Sequence, residues 1–340
     1  MKRVVIWLLL VIIVFVGAFG AWVAFGAVQP YKGYEGEEQF VDIPPGSGPG
    51  AIGRHLADAG VIRDLLTFRI EVLRSGEGRR LRAGEYRFDH PMTPTEVVAK
   101  LARGDVYLLP ITFREGLTIP EMAAVYESKG FGPAAEFIAA ASDAQSVRGI
   151  DPGAKDLEGY LFPDTYNMPR HSTAAQLAAR MVSAFEKELT PGLRAKAEGH
   201  GLSVRQLVTL ASMVEKETGK AEERPLVAAV YANRLRIGMG LQCDPTVIYA
   251  LMRIHRYDGN LTREDLQVDS PYNTYRYRGL PPGPIAAPGR ASLEAAADPA
   301  DVPYLYFVSR GDGTHVFATT LEEHNRNVYE FQKKPFMRLP

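Results

Sequence analysis

Residues 203–246 read SVRQLVTLASMVEKETGKAEERPLVAAVYANRLRIGMGLQCDPT, and the rest of the chain is organised around them. Ser203 is placed to cap a helix, and Leu207, Leu210, Ala211 and Val214 follow at helical spacing. Gly219 breaks that run. Leu226, Val227, Val230, Tyr231 and Leu235 mark a second helix, with Pro225 acceptable in its first turn, and a polar tail follows. At about 100° per residue the apolar arc of the first helix centres near Leu207 and Val214. Two glutamates stand at its margins: Glu217 trails Leu210 by seven positions and Val214 by three, and Glu215 trails Ala211 by four. Being two apart, they do not face each other. A carboxyl at the edge of an apolar face, where a helix opens on a loop, can hold its proton and act as a general acid. Solvated glutamates in a last turn have the same spacing, so the pattern nominates both and chooses neither.

Outward from this stretch, the bulk properties narrow the class. The 340 residues leave room for two domains, and 46% hydrophobic content is that of a globular protein. A net charge of −1 gives no electrostatic reason to expect nucleic acid. The single cysteine, Cys243, excludes an intrachain disulfide and a cysteine-rich metal site; it reads as a small residue in a half-buried slot, with a catalytic thiol beside Asp244 as the sharper reading. Seven histidines are scattered without metal-binding spacing, so no metal and no cofactor is expected.

Positions 4–28 form an uninterrupted run of about 25 apolar or small residues, enough to cross a bilayer. Lys2 and Arg3 precede it, and Glu35, Glu37 and Glu38 follow with Lys32 against them. The positive-inside rule then puts the N-terminus in the cytoplasm and the remainder outside. The run is too long for the apolar region of a cleaved signal peptide, although Ala24-Phe25-Gly26 passes for a loose cleavage site.

Beyond a polar linker comes an internal echo. Val41-Asp42-Ile43-Pro44-Pro45-Gly46 leads to Ile52, Leu56 and Gly60; seventy residues on, Ile111-Thr112-Phe113-Arg114-Glu115-Gly116 leads to Met122, Tyr126 and Gly130. Each copy predicts a short strand, a glycine turn, a helix and a glycine stop. Between them, 65–73 reads as a buried helix, 81–88 as a turn into a strand, and 93–101 as a helix whose Thr93, Pro94 and Glu96 suit a capping box. Arg74, Arg79, Arg80 and Arg82 read as a solvated basic face.

Further on, LEGYLFPDTY at 157–166 is dense in aromatic and acidic residues, and Pro163 argues against a regular helix there. Its Glu158 and Asp164 are candidates to line a cleft. Positions 173–189 have helical periodicity. Tyr272-Asn273-Thr274-Tyr275 leads into Gly279-Leu280-Pro281-Pro282-Gly283-Pro284, tyrosines and an amide beside a rigid loop, a set that suits the apolar faces and hydroxyls of a carbohydrate. Positions 304–308 read as a continuous buried strand, turned at 311–313 into a second, and 321–333 as a closing helix carrying His324 and Asn325.

These motifs together carry a resemblance. The sequence resembles the MltG-type (YceG-like) endolytic murein transglycosylases through LEGYLFPDTY (157–166), ASMVEKET (211–218), Asn233-Arg234-Leu235, LQCDPT (241–246), YNTY (272–275) and GLPPGPI (279–285). Their order agrees, and the likeness covers almost the whole chain. The resemblance implies an α+β fold: an N-terminal transmembrane anchor (1–28), a linker (29–40), a small LysM-like α+β module that binds peptidoglycan (41–108), and a larger mixed α/β catalytic domain (109–335). It implies that Glu217, the second glutamate of EKET, is catalytic. Glu158, Asn233, Arg234, Gln242, Asp244, Tyr272, Asn273 and Tyr275 are then the residues expected to bind substrate. Cys243 stands where the family pattern has Thr or Ser. The implied activity is cleavage within peptidoglycan glycan strands, between N-acetylmuramic acid and N-acetylglucosamine, leaving 1,6-anhydro ends and terminating nascent strands. The implied setting is the bacterial inner membrane, crossed once, with the catalytic part periplasmic and a peptidoglycan synthase as partner. Two rivals remain: a hydrolytic muramidase using Asp244 or Glu158 as second carboxylate, and a non-catalytic glycan-binding scaffold of wall synthesis.

Overall fold

A computed structural model describes residues 2–334, a mixture of helices and short strands. The position 335 at which the catalytic domain was expected to end lies outside the described residues. The chain forms two units, Met1–Leu109 with Asn167–His171, and Pro110–Tyr166 with Ser172–Pro340.

The first unit begins with α1 (Lys2–Val28), in which apolar side chains such as Trp7, Ile13, Phe15 and Val16 are exposed. Among the described residues no helix is long and apolar enough to cross a membrane. Next come β1 (Gln39–Ile43), α2 (Pro49–Asp58), α3 (Leu65–Ser75), β2 (Gly84–Phe88) and α4 (Pro94–Arg103). β1 and β2 pair antiparallel with Val41 opposite Tyr86, so one face of the ribbon carries Val41, Ile43, Tyr86 and Phe88 into a core. Ile52 and Leu56 of α2, Phe68 of α3 and Val97 and Leu101 of α4 close that core; each such side chain contributes about 1.5–3 kcal/mol by leaving water. The ends of the helices follow the sequence. Asp64 accepts from the Thr67 amide at 2.8 Å, and Thr93 and Glu96 form the expected capping box; a cap of this kind contributes about 1 kcal/mol. Of the basic run, Arg74 pairs with Glu71 and Arg80 with Glu77 at the surface.

The chain passes between the units inside β3 (Leu108–Thr112) and β4 (Thr165–Pro169), which pair with each other. Following β3, α5 (Ile119–Ser128) begins and ends seventy residues after α2. Gly46 (φ 81°) and Gly116 (φ 77°) occupy the equivalent left-handed turn, a conformation that costs an L side chain about 1–2 kcal/mol. Ile52 and Met122, and Leu56 and Tyr126, are buried at matching positions. The echo in the sequence is thus a strand–turn–helix unit built twice.

The second unit continues with α6 (Ala134–Ala141), α7 (Ala174–Glu188), α8 (Pro191–Gly199), α9 (Val204–Glu217), α10 (Arg224–Arg236), α11 (Asp244–Arg253) and α12 (Arg290–Ala297). The hairpin β5 (Tyr306–Ser309) and β6 (His315–Ala318) follows, then α13 (Leu321–Val328), which runs on into a π turn at Tyr329–Lys333. Ser203 caps α9 in a capping box with Gln206, and every residue from Leu207 to Val214 is buried. That degree of burial follows from packing: α8, α10, α11 and α12 all lie against α9. Ala295, Ala296 and Ala297 let α12 come close, and Ser212 accepts from the Ile285 amide at 3.1 Å, pinning the Pro/Gly loop to α9.

Two expectations change. What reads as a polar tail becomes α11 from Asp244 onward, with Pro245 in its first turn. The strand expected to be buried throughout has Val308 buried and Tyr306, Phe307 and Ser309 half-buried, because β5 pairs with β6 alone and the ribbon has no third strand to cover it.

Candidate active site

α9 ends where its last side chains meet the loop before α10. Thr218, extended at φ −142° and ψ 135°, closes the helix with its amide on the Val214 carbonyl. Glu217 is half-buried there. Tyr231, buried on α10 fourteen residues later, donates its hydroxyl to Glu217 Oε1 at 2.6 Å. The fully buried Cys243, just before α11, lies beside the same carboxyl. Burial pushes the Glu217 proton affinity up, and the Tyr231 hydroxyl and the Cys243 thiol pull it partly back by donating to the charged form. The nearby Asp244 pushes it up and His315 pulls it down. Burial and the Glu217 charge push the Cys243 thiol well above its ordinary value, which disfavours the thiolate that a nucleophile needs. The net direction is upward, burial outweighing the Tyr231 hydroxyl that donates to the anion.

Glu215 is engaged elsewhere. It accepts from Arg224 at 3.2 Å and from the Gly289 amide at 2.9 Å, with its side chain 6% exposed. Arg224 in turn donates to Ser292 on α12. Glu215 therefore ties α9 to α10 and to the start of α12.

The residues expected to bind substrate fall into three groups. Asp244 and Tyr275 stand with Glu217: both are exposed, and the Tyr275 hydroxyl donates to Asp244 at 2.6 Å. Gln242 is exposed on the same short connection, between Leu241 and Cys243, at φ 53°. A non-glycine residue in that conformation is strained and is kept there by its surroundings. The Gln242 amide on the Thr274 carbonyl and the Cys243 amide on the Thr274 hydroxyl supply them.

Asn233, Arg234 and Asn273 form the second group, whose polar side chains are engaged by backbone. Asn233 donates to the carbonyls of Val302 and Tyr304, and Arg234 to those of Leu305 and Leu241. Asn273 is fully buried, donating to Leu266 and Val268 while accepting from the Tyr275 amide. Their polar atoms satisfy irregular backbone that would otherwise lack partners, and so shape the loops around Glu217.

Glu158 and Tyr272 make the third group, at a separate cavity of about 610 Å3 near the C-terminal end of α11. Glu158 is 5% exposed; burial raises its pKa to about 8, opposed by the Ile119 amide and by the Tyr249 hydroxyl at 3.2 Å. It is protonated at neutral pH and lies apart from the Glu217 group.

Sequence reasoning left out Tyr231, the thiol contact of Cys243, and a network behind Thr218. In that network Glu223 binds the Thr218 hydroxyl and His315 Nδ1. Tyr231 appears in the sequence as one more apolar position of a helix, and nothing in local spacing marks its hydroxyl. Among the described residues no group of three His, Cys, Asp or Glu side chains is placed to hold a metal ion.

Comparison with known proteins bears on this geometry. The YceG-like family model matches residues 41–330. An endolytic murein transglycosylase of Bacillus subtilis is 32% identical over 84% of this chain and 82% of its own length. One of Streptococcus pneumoniae is 30% identical over 92% of this chain; the chain spans 62% of that longer relative. A crystal structure described as a putative YceG-like protein from Listeria monocytogenes matches with a TM-score of 0.58 at 32% identity, covering 85% of this chain and 98% of that one. With a family model matched over most of its length and a relative of this similarity, the chain belongs to the YceG-like family.

Proposed function

We propose that this chain is an endolytic lytic transglycosylase acting on peptidoglycan glycan strands, with Glu217 as its acid and base. The observation that carries the reading is the Glu217 carboxyl at the end of α9, its proton affinity raised by burial and the Tyr231 hydroxyl donating to it at 2.6 Å. Its membership of a family whose relatives are named endolytic murein transglycosylases points the same way. Protonated Glu217 gives its proton to the glycosidic oxygen that leaves N-acetylmuramic acid as the C1–O bond breaks. The substrate's N-acetyl carbonyl stabilises C1. The Glu217 carboxylate then takes the proton of the sugar's own C6 hydroxyl as that oxygen bonds to C1, so the enzyme regains its proton and no water is consumed. One carboxyl suffices because nothing outside the sugar has to be activated. Asp244 with Tyr275, and the exposed Gln242, are the polar groups this reading places against the sugar beside Glu217.

Asp244 also gives the hydrolytic alternative its specific support, since it lies close enough to raise the Glu217 proton affinity. The two readings differ in product mass: a strand end made by internal attack is lighter by one water than one made by hydrolysis. A binding scaffold would release neither.

In the same reading residues 41–108 are a LysM-like peptidoglycan-binding module and 109–335 the catalytic domain. The apolar helix α1, with its exposed Trp7, Phe15 and Phe19, is a single-pass inner-membrane anchor. The linker 29–40 and all that follows stand in the periplasm, where nascent strands are within reach and a peptidoglycan synthase is the partner.

A further inference from the structure

The cavity of about 610 Å3 at the C-terminal end of α11 takes no part in the proton transfers at Glu217. Its walls carry charge of both signs, whereas the N-acetylated sugars of a glycan strand are largely neutral. Arg205, at the start of α9, donates from Nε to Asp151, which also accepts the Tyr160 hydroxyl. Arg205 Nη2 is shielded from solvent and has no partner, an unfavourable state for a guanidinium donor unless something charged or polar reaches it. Lys155 is exposed at the cavity, and Arg253 lies over the Tyr272 ring at 5.2 Å; neither has a carboxylate partner among the described residues. Asp156 and Asp269 line the same space with the opposite charge, Asp269 already accepting from the Tyr277 hydroxyl at 2.7 Å and lying 3.8 Å from Arg276. Neutral Glu158 adds a buried donor to the wall. Arg253 and Lys155 without carboxylate partners, the unpartnered Nη2 of Arg205, and Asp156, whose Oδ1 alone is engaged by the Glu158 amide at 3.1 Å, match a ligand that carries both carboxylates and an amine.

The distance fits such a ligand on the same strand. α11 starts at Asp244 in the Glu217 group and ends at Arg253 in the cavity; at 1.5 Å per residue that is about 14 Å. Four extended peptide residues cover about 13–14 Å.

We infer that this cavity binds the peptide stem of the muramic acid being cleaved, with stem carboxylates on Arg205, Arg253 and Lys155 and its free amine on Asp156. The inference rests on the transglycosylase reading, because that reading supplies the strand that bears the stem.

Two measurements on the full-length chain test it. In the first, a synthetic stem tetrapeptide with a diamino acid at its third position is titrated by calorimetry. Saturable binding is expected, weakened at least tenfold by Arg253→Gln, by Lys155→Gln, or by capping the peptide's amine and carboxylates. Equal binding of the capped peptide, or no effect of either substitution, overturns the inference. In the second, cleavage is compared on strands with their stems and on strands stripped by an amidase. The wild type is expected to show the higher kcat/KM on stem-bearing strands, and Arg253→Gln to shrink that preference through KM. A wild type that cleaves both alike and ignores the tetrapeptide overturns the stem site while leaving the transglycosylase reading intact. A kcat loss in Arg253→Gln that is equal on both substrates also overturns it, as the mark of a merely structural residue. Failure to cleave either strand is a failure of the transglycosylase reading, and the titration still decides the cavity.

Discussion

Glu215 and Glu217 are equals on a helical wheel and opposites in the structure. Glu215 is held by Arg224 and the Gly289 amide, while Glu217 accepts from the Tyr231 hydroxyl with Cys243 and Asp244 beside it. Glu217→Gln should cut turnover at least 10²–10⁴-fold, roughly the worth of general acid–base catalysis, with folding retained. Glu215→Gln leaves Arg224 with Glu115, 3.8 Å away, as its carboxylate partner, so it should lower stability by about 1–3 kcal/mol and keep the rate per folded molecule within about tenfold. Rates and urea midpoints for the two variants check this; a dead, stable Glu215→Gln beside an active Glu217→Gln would reverse the assignment. Glu158 makes a second, pH-dependent case. With a native pKa of about 8 against an ordinary 4.5, the folded chain keeps a proton that the unfolded chain has released across that window. Stability should therefore fall as pH rises from 4.5 to 8, by up to about 4 kcal/mol. Glu158→Gln, neutral throughout, should flatten the fall in a thermal-unfolding series over pH. An unchanged slope would show that Glu158 ionises freely. Little of this was legible in the sequence. Wheel geometry finds both glutamates, but Tyr231 and Arg224 sit on another helix and decide between them. Asn233, Arg234 and Asn273 read as ligand-binding types because their side chains are polar, whereas their partners are backbone carbonyls of distant loops.

Elements were easier to read where the signal is local. The caps at Ser203 and Thr93, the start of α10 near Pro225 and the stops at Gly60 and Gly130 all depend on residues within a few positions. The helices α6, α8 and α12 went unread because alanine and glycine give them weak apolar periodicity, and packing against larger neighbours completes them. The duplicated strand–turn–helix carries its own prediction. Gly46 has open space where a Cβ would stand, and at Gly116 a Cβ would meet ordinary contacts. Gly46→Ala and Gly116→Ala should then each cost about 1 kcal/mol, from backbone strain alone, measured by urea unfolding. A much larger loss at one of the two would mean that the turns are not equivalent.

Across the whole molecule, the reading requires a chain anchored by α1 and facing its substrate outside the cytoplasm. A reporter active only outside the cytoplasm, fused after Pro340, should be active, and the protein should stay with membranes in alkali. Silence of the reporter or release into the soluble fraction contradicts the anchor. The central claim is chemical, and the mass of the products tests it most directly. Purified glycan strands incubated with the chain should yield shorter strands whose new muramic ends are lighter by one water than hydrolysed ends, and Glu217→Gln should yield none. New ends carrying the full mass of a hydrolysed sugar, or anhydro ends formed equally well by Glu217→Gln, would contradict it.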